Sequence, residues 1–326
     1  MNASHRVSRR AVLALAGTAA FPALAQSAAG FPSKFVRIVV GYGPGGPPDL
    51  LARAIAHTLS ESWKQPVIVE NKAGAGGSLG AEIVARSAPD GHILLLAPLT
   101  HSIVPSLMKL PFDAMNDFQP VTLVGQAPLV LVVHPSFPAN NVKELIEQAK
   151  AKPGQLVYAS AGNGTSTHII GEMLKRTAGV DILHVPYKGS GAAVIDVMAG
   201  RANMYFDTLA SSLPHIRSGK LKPLTVLSPK RSTQLPDLPT MAESGYPGFE
   251  VAGWLGVFAP AKMPRPLLAT INSAINATID SPMVKNQLAA MGAESVGTTP
   301  EEFERVVRRD MQRFGAIIKD TGIRVD

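Results

Sequence analysis

Three glycine-rich stretches hold the residues whose types and spacing could do chemistry: "GYGPGG" (41–46), "GAGGSLG" (74–80) and "SAGNGTS" (160–166). In the first, Gly41, Gly43 and Gly46 fit the dinucleotide fingerprint G-x-G-x-x-G behind the strand-like run Phe35 to Val40. Glu70 closes the next apolar run, where a ribose-binding acid would sit. The context argues against a nucleotide. The third glycine of the fingerprint belongs inside a helix, whereas Pro47-Pro48 puts the helix start at Pro48 or Asp49. Pro44 has no amide to offer a pyrophosphate.

In the second stretch, Gly76-Gly77-Ser78-Leu79-Gly80 matches the hydrolase elbow G-x-S-x-G, with Ser78 as nucleophile. That elbow needs a strand running straight into the serine, yet Val69 lies nine residues earlier. Asp207 and His215 are downstream acid and base types that no spacing singles out. The eight histidines show no H-E-x-x-H pattern and no pair at i, i+4, and no Walker sequence is present. Neither a metal nor a cofactor is expected. What remains is backbone chemistry: stacked amides at helix starts hold an anion without a cation. None of the three turns contains arginine, and only Lys72 sits nearby. The pattern predicts a carboxylate held by amides, hydroxyls and water; plain tight turns are the alternative use of the same glycines.

The elements around these turns alternate. Phe35 to Val40 reads as a strand, Leu50 to Trp63 as a helix, Val67 to Val69 as a strand, a short helix passes Ile83 and Val84, and Ile93 to Leu96 is a third strand. This βαβαβ order predicts a parallel sheet with helices on both faces. A second unit begins at "PLVLVVHP" (128–135), with Asn141 and Glu144 as a capping pair, "QLVYAS" as a strand and a helix to Ala178 stopped by Gly179. "ANMYFD", "LKPLTVLS" and "VAGWLGVFAP" are further extended runs, and Leu235 to Phe249 reads as a loop. Thr299-Pro300-Glu301-Glu302 opens a terminal helix running towards Ile318. Two α/β lobes follow, joined by extended crossovers near 125–130 and 250–257, with the tail returning to the first lobe. Such folds bind ligands in the cleft between lobes.

Residues 1–25 are different in kind. Arg6, Arg9 and Arg10 precede the apolar run Ala11 to Leu24, and Ala23-Leu24-Ala25 has the form a signal peptidase cleaves. Ser8-Arg9-Arg10-Ala11-Val12-Leu13 resembles a twin-arginine signal, with general secretion open beside it. These residues hold three arginines and no acid, so their removal lowers the formal net charge from +7 to +4. There is no cysteine, hence no disulfide, thiolate or cysteine-ligated metal. With 6% aromatics and no Lys/Arg-rich run, no nucleic-acid footprint is present. A periplasmic protein is expected.

The segments "GPGGPPDLLARAIA", "VENKAGAGGSLGAEIVARSAPDGHILLL", "YASAGNGTSTHIIGEML" and "VDILHVPYKGSGAAVIDVMAGRANMYFD" resemble the substrate-binding proteins of tripartite tricarboxylate transporters, the Bug-type solute receptors. The resemblance covers essentially the whole mature chain. It implies an α/β periplasmic binding protein (type II-like) of two doubly wound lobes with a ligand cleft between them. It further implies a monomeric non-enzyme that captures a small carboxylate and delivers it to integral membrane permease subunits. The lobes are expected at 26–127 plus 256–326 and at 128–255. Carried over by position, Tyr42 sets its ring against the ligand or is a buried strand-end aromatic. Gly45 and Gly46 offer amides, and Asp49 is the family's acid or an ordinary helix N-cap. In the second lobe Ser160, Gly162, Gly164, Thr165 and Ser166 form the other anion-holding turn and His168 follows it. Tyr187 and Asp207 match cleft residues, and a buried Asp207 needs a partner. Ser78 and Thr100-His101 lie at other strand-to-helix turns. Pro47-Pro48 departs from the family, which usually has small or hydroxyl residues there, so hydroxyl contacts from that loop are in doubt. An exported serine hydrolase using Ser78 and an exported dinucleotide-dependent oxidoreductase are the competing functions.

Overall fold

A computed structural model describes residues 30–187 and 189–323; the expected signal peptide lies outside the described residues. The chain begins with β1 (Val36–Val40), α1 (Pro47–Trp63), β2 (Val67–Asn71), α2 (Ser78–Ala85) and β3 (Ile93–Pro98). A one-turn α3 (Val104–Leu107) leads to β4 (Phe118–Val133), a single strand of 16 residues. Next come α4 (Val142–Ala151), β5 (Val157–Ser160), α5 (Ser166–Ala178), β6 (Leu183–Pro186) and α6 (Ser190–Met198). The chain continues through β7 (Met204–Thr208), α7 (Leu209–Arg217), β8 (Lys222–Val226) and β9 (Ala252–Pro260). It closes with α8 (Arg265–Ile279), α9 (Pro282–Ala290), β10 (Glu294–Ser295) and α10 (Pro300–Thr321).

Two sheets share β4. In the first the order is β2-β1-β3-β9-β4, with β1 parallel to β2 and β3, and β9 antiparallel to β3 and β4. In the second, β5 runs parallel to β6 and β7, while β4 is antiparallel to β7 and β8. The sheets are therefore mixed, not wholly parallel as the βαβ pattern predicts. The two expected crossovers are the strands β4 and β9, bonded to each other from Phe118↔Pro260 to Pro128↔Ala252.

Side chains alternate across the first sheet with period two. Val36, Ile38 and Val40 pack with Leu51, Ile55 and Leu59 of α1 and Ile271 and Ile275 of α8, while Val39 faces the opposite layer beside Val84. Each fully buried aliphatic chain of this kind contributes about 1.5–3 kcal/mol. In the second sheet Val130 and Val132 meet α6, and Leu129, Leu131 and Val133 face α4 and α5.

The terminal helix starts with the predicted capping box, Thr299 and Glu302 bonding each other's backbone N–H. It does not serve the first lobe alone. Phe314 and Ile317 join one buried cluster with Ile170 and Met173 of α5, and Arg176 pairs with Asp320 at 2.6 Å. Its anchor is Asp310, buried, accepting from the Trp254 indole N–H of β9 at 2.9 Å and paired with Arg313 at 3.3 Å. Asp310→Ala would leave the buried Trp254 indole N–H without its acceptor and take the carboxylate away from the half-buried Arg313, which keeps only the Glu250 carbonyl. A loss of about 3 kcal/mol in unfolding free energy is expected by urea denaturation.

Candidate functional site

The first loop is locked from within. Gly46 is the helix N-cap, Pro47 and Pro48 occupy the first two helical positions and Asp49 is the third, so the helix begins one residue before the earliest predicted start, Pro48, and three before Leu50. Asp49 is no N-cap. Its buried carboxylate accepts from the Gly45 amide (2.9 Å), Arg53 Nε (2.9 Å) and Asn71 Nδ2 (2.8 Å). Burial alone would raise this carboxyl, but the bonds from Arg53, Gly45 and Asn71 hold it below its ordinary value. The Gly45 amide therefore serves Asp49 instead of facing outward. The half-buried Tyr42 donates its hydroxyl to the Gly76 carbonyl (3.0 Å) and shares a short bond with Thr100, tying this loop to the second one. Glu70 pairs with Arg37 (2.8 Å) and Lys72 (3.0 Å), which removes it from any ribose role.

Ser78 opens α2 behind a 3-10 turn at Ala75–Gly77, not at the end of a strand, so the elbow geometry is absent. With Tyr42 and His101 it lines a cavity of only about 20 Å³. His101 is buried between Phe118 and Phe258, and burial pulls its imidazole down to about 4.

The second-lobe turn is equally self-contained. Ser160 Oγ meets His184 Nε2 at 2.6 Å and accepts from the Gly162 amide at 3.1 Å. Gly164 N–H donates to His168 Nδ1 (3.1 Å), and Thr165, the N-cap of α5, donates to the Gly162 carbonyl (2.7 Å). The His168 and His184 rings stack 3.8 Å apart, with Tyr158 on the far side of His184. Tyr187 donates to Asp196 (2.7 Å); burial and that partner push its phenol up to about 12. Asp207 has the partner it needs: Ser212 donates at 2.8 Å at the start of α7, and burial still raises its carboxyl.

What the elements bring together is a cavity of about 540 Å³ between the lobes. From the side of the first sheet come Pro47, Pro48, Leu99, Thr100 and Met291. From the side of the second come Ser166, Thr208, Ala210 and Ser211, at the first turns of α5 and α7. Ala127, Leu129, Gly253 and Trp254 of the crossing strands form the floor. No lining residue is charged. Of the candidate residues named from the sequence, Thr100 and Ser166 line it, as do Pro47 and Pro48. Tyr42, Gly45, Gly46, Asp49, Ser78, His101, Ser160, Gly162, Gly164, Thr165, His168, Tyr187 and Asp207 are not among its lining residues. Several of them brace the loops behind its walls. Sequence reasoning passed over Thr208, Ser211 and Trp254. Thr208 had a findable signal, a hydroxyl N-cap directly after a strand.

Residues 51–323 match the sequence model of the tripartite tricarboxylate transporter family receptors, TctC. The chain belongs to that family. The TctC and Bug proteins are substrate-binding receptors, not enzymes. "Protein BugT" of Bordetella pertussis is 38% identical over 304 residues, 92% of this chain and 93% of that protein. An R. palustris structure with adipate is 33% identical and covers 90% of this chain and all of that one, with a TM-score of 0.72. A Polaromonas TctC solute-binding protein without ligand is 25% identical, covers 89% of this chain and 99% of that one, and reaches 0.83. The TctC fold is thus that of the periplasmic solute-binding proteins, as the motifs implied.

Two outcomes check this geometry. A Cβ on Gly41 would lie 2.4 Å from the Gly77 carbonyl oxygen, whereas one on Gly43 meets nothing within 4 Å. Urea unfolding should show Gly41→Ala losing about 2 kcal/mol or more and Gly43→Ala staying within about 0.5 kcal/mol. The second concerns pH. Burial, and then the His168 ring, lower the His184 imidazole from 6.5 to about 4. The unfolded chain therefore takes up that proton first, so this contribution is complete above pH 6.5 and is lost as pH falls towards 4. His184→Phe should flatten the stability decline measured across that window.

Proposed function

We propose that this TctC receptor is exported to the periplasm and works there as a monomer. It captures a small organic carboxylate between its lobes and delivers it to integral membrane permease subunits. The lobes are residues 26–127 with 256–326 and residues 128–255. The observation that carries the reading is the uncharged 540 Å³ cavity lined from both lobes, with the first turns of α5 and α7 in its wall. The leading amides of a helix have no acceptor within the helix, and the helix dipole favours an anion there. In α5 the Thr165 side chain accepts from His168 N–H, and in α7 the Thr208 side chain accepts from Ser211 N–H. The amides of Ser166, Thr167, Leu209 and Ala210, ahead of those capped positions, are the donors assigned to the carboxylate. Of the predicted cradle, the amides of 45–46 and 162–166, those of Gly45, Gly162 and Gly164 donate inside the protein, and the Ser166 amide is kept in this reading.

Closure of the first lobe brings Pro47, Pro48 and Thr100 over the ligand and excludes water, which strengthens every bond to the anion. The adipate-bearing relative supports a carboxylate ligand. The ligand-free Polaromonas protein fits this chain better at lower identity, which supports reading this structure as the open state. Among the described residues no helix is long and apolar enough to cross a membrane.

Thermal unfolding in the presence of mono-, di- and tricarboxylates tests the proposal. A binding carboxylate at a hundredfold excess over its Kd should add about 2.7 kcal/mol of stability and raise the melting temperature. A flat response to every carboxylate overturns it.

A further inference from the structure

The interlobe cavity has two chemically different ends. Its hydroxyls gather on the second lobe, at Ser166, Thr208 and Ser211, beside the leading amides of α5 and α7. The first lobe presents Pro47, Pro48, Leu99 and Met291 instead, with Trp254 of the crossing strand beneath. The side-chain donors at that end, and the Gly45 amide, are engaged elsewhere. Thr100 is bonded to Tyr42, the Trp254 indole donates to Asp310, and the Gly45 amide donates to Asp49. Residues 47 and 48 are prolines and carry no N–H. A second carboxylate placed there would be removed from water with no cation and few donors to receive it, which is strongly unfavourable.

From this asymmetry we propose that the ligand is a monocarboxylate with an apolar body. Its carboxylate sits on the first turns of α5 and α7. Its hydrocarbon lies against Pro47, Pro48, Leu99, Met291 and Trp254. The inference rests on the carboxylate-receptor reading given above and narrows it. Pro47 and Pro48 are the residues that set the preference, by removing two amides from the first turn of α1 and offering no hydroxyl there.

Calorimetric titration of the purified protein with hexanoate, benzoate, adipate and citrate decides the matter. Hexanoate and adipate share a six-carbon skeleton and differ by one carboxylate. Hexanoate or benzoate should bind at least about tenfold more tightly than adipate and citrate. Any smaller margin overturns the proposal. Silence towards both monocarboxylates, with a response to any di- or tricarboxylate, overturns it while leaving the receptor reading intact. Silence towards every carboxylate overturns both. In the double variant Pro47→Ser with Pro48→Ser, the exposed first turn of α1 gains two amides and two hydroxyls. The hexanoate-to-adipate preference should then fall at least about threefold, and an unchanged preference counts against the proposal.

Discussion

The backbone ladder of β4 is the constraint on which the architecture depends. One strand of 16 residues bonds to β9 as far as Pro128 and to β7 and β8 from Leu129 and Val130 onward. The exchange of partners falls at a proline, which has no N–H to keep the old ladder going. Register shifts at Pro120/Thr122 and Leu123/Gly125 bend the strand before it arrives there. The set of one sheet against the other is thus carried by a few residues of β4 and by the entry of β9 at Ala252. The same few residues, Ala127, Leu129, Gly253 and Trp254, floor the cavity. Approach between the lobes is limited on one side by Gly292, where a Cβ would sit 2.3 Å from that of Ala210. Only glycine allows the α9–β10 turn to lie so close to α7.

Three amides of the glycine-rich turns bond within the protein. Gly45, Gly162 and Gly164 take positive φ (84°, 135° and 72°), which lets each turn fold its own amides inward. Asp49, Ser160 and His168 receive those amides. Such turns hold the following helix starts in fixed positions, so little ordering remains to be done when a ligand arrives. The stacked His168 and His184 rings belong to the same bracing, and burial lowers both imidazoles.

Much of the fold was legible because its signals are local. The apolar run Phe35 to Val40, the Thr299/Glu302 capping box and the Asn141 cap each specify their element within a few residues. The α7 segment was harder, since Leu209–Arg217 carries two serines and an internal Pro214 that argue against a helix. Its existence depends on packing against β4 and β7. The candidate site was less legible than the fold for a related reason. Short patterns reveal which backbone groups can bond an anion, but not which are already bonded to a neighbour far along the chain. Asn71, Tyr42 and Thr100 settle that question for the first loop, and they act across up to 58 residues.

An uncharged cavity also suits capture followed by release. A guanidinium on the wall would attract a carboxylate whether the lobes were open or closed, because part of its field persists in water. Helix-terminal amides and hydroxyls behave differently, since water satisfies them equally well when the cleft is open. Their advantage over water appears when the opposing wall closes and solvent leaves. Pro47, Pro48, Leu99 and Met291 provide that wall without adding donors of their own. Affinity is then governed by the angle between the sheets, and that angle is held by β4.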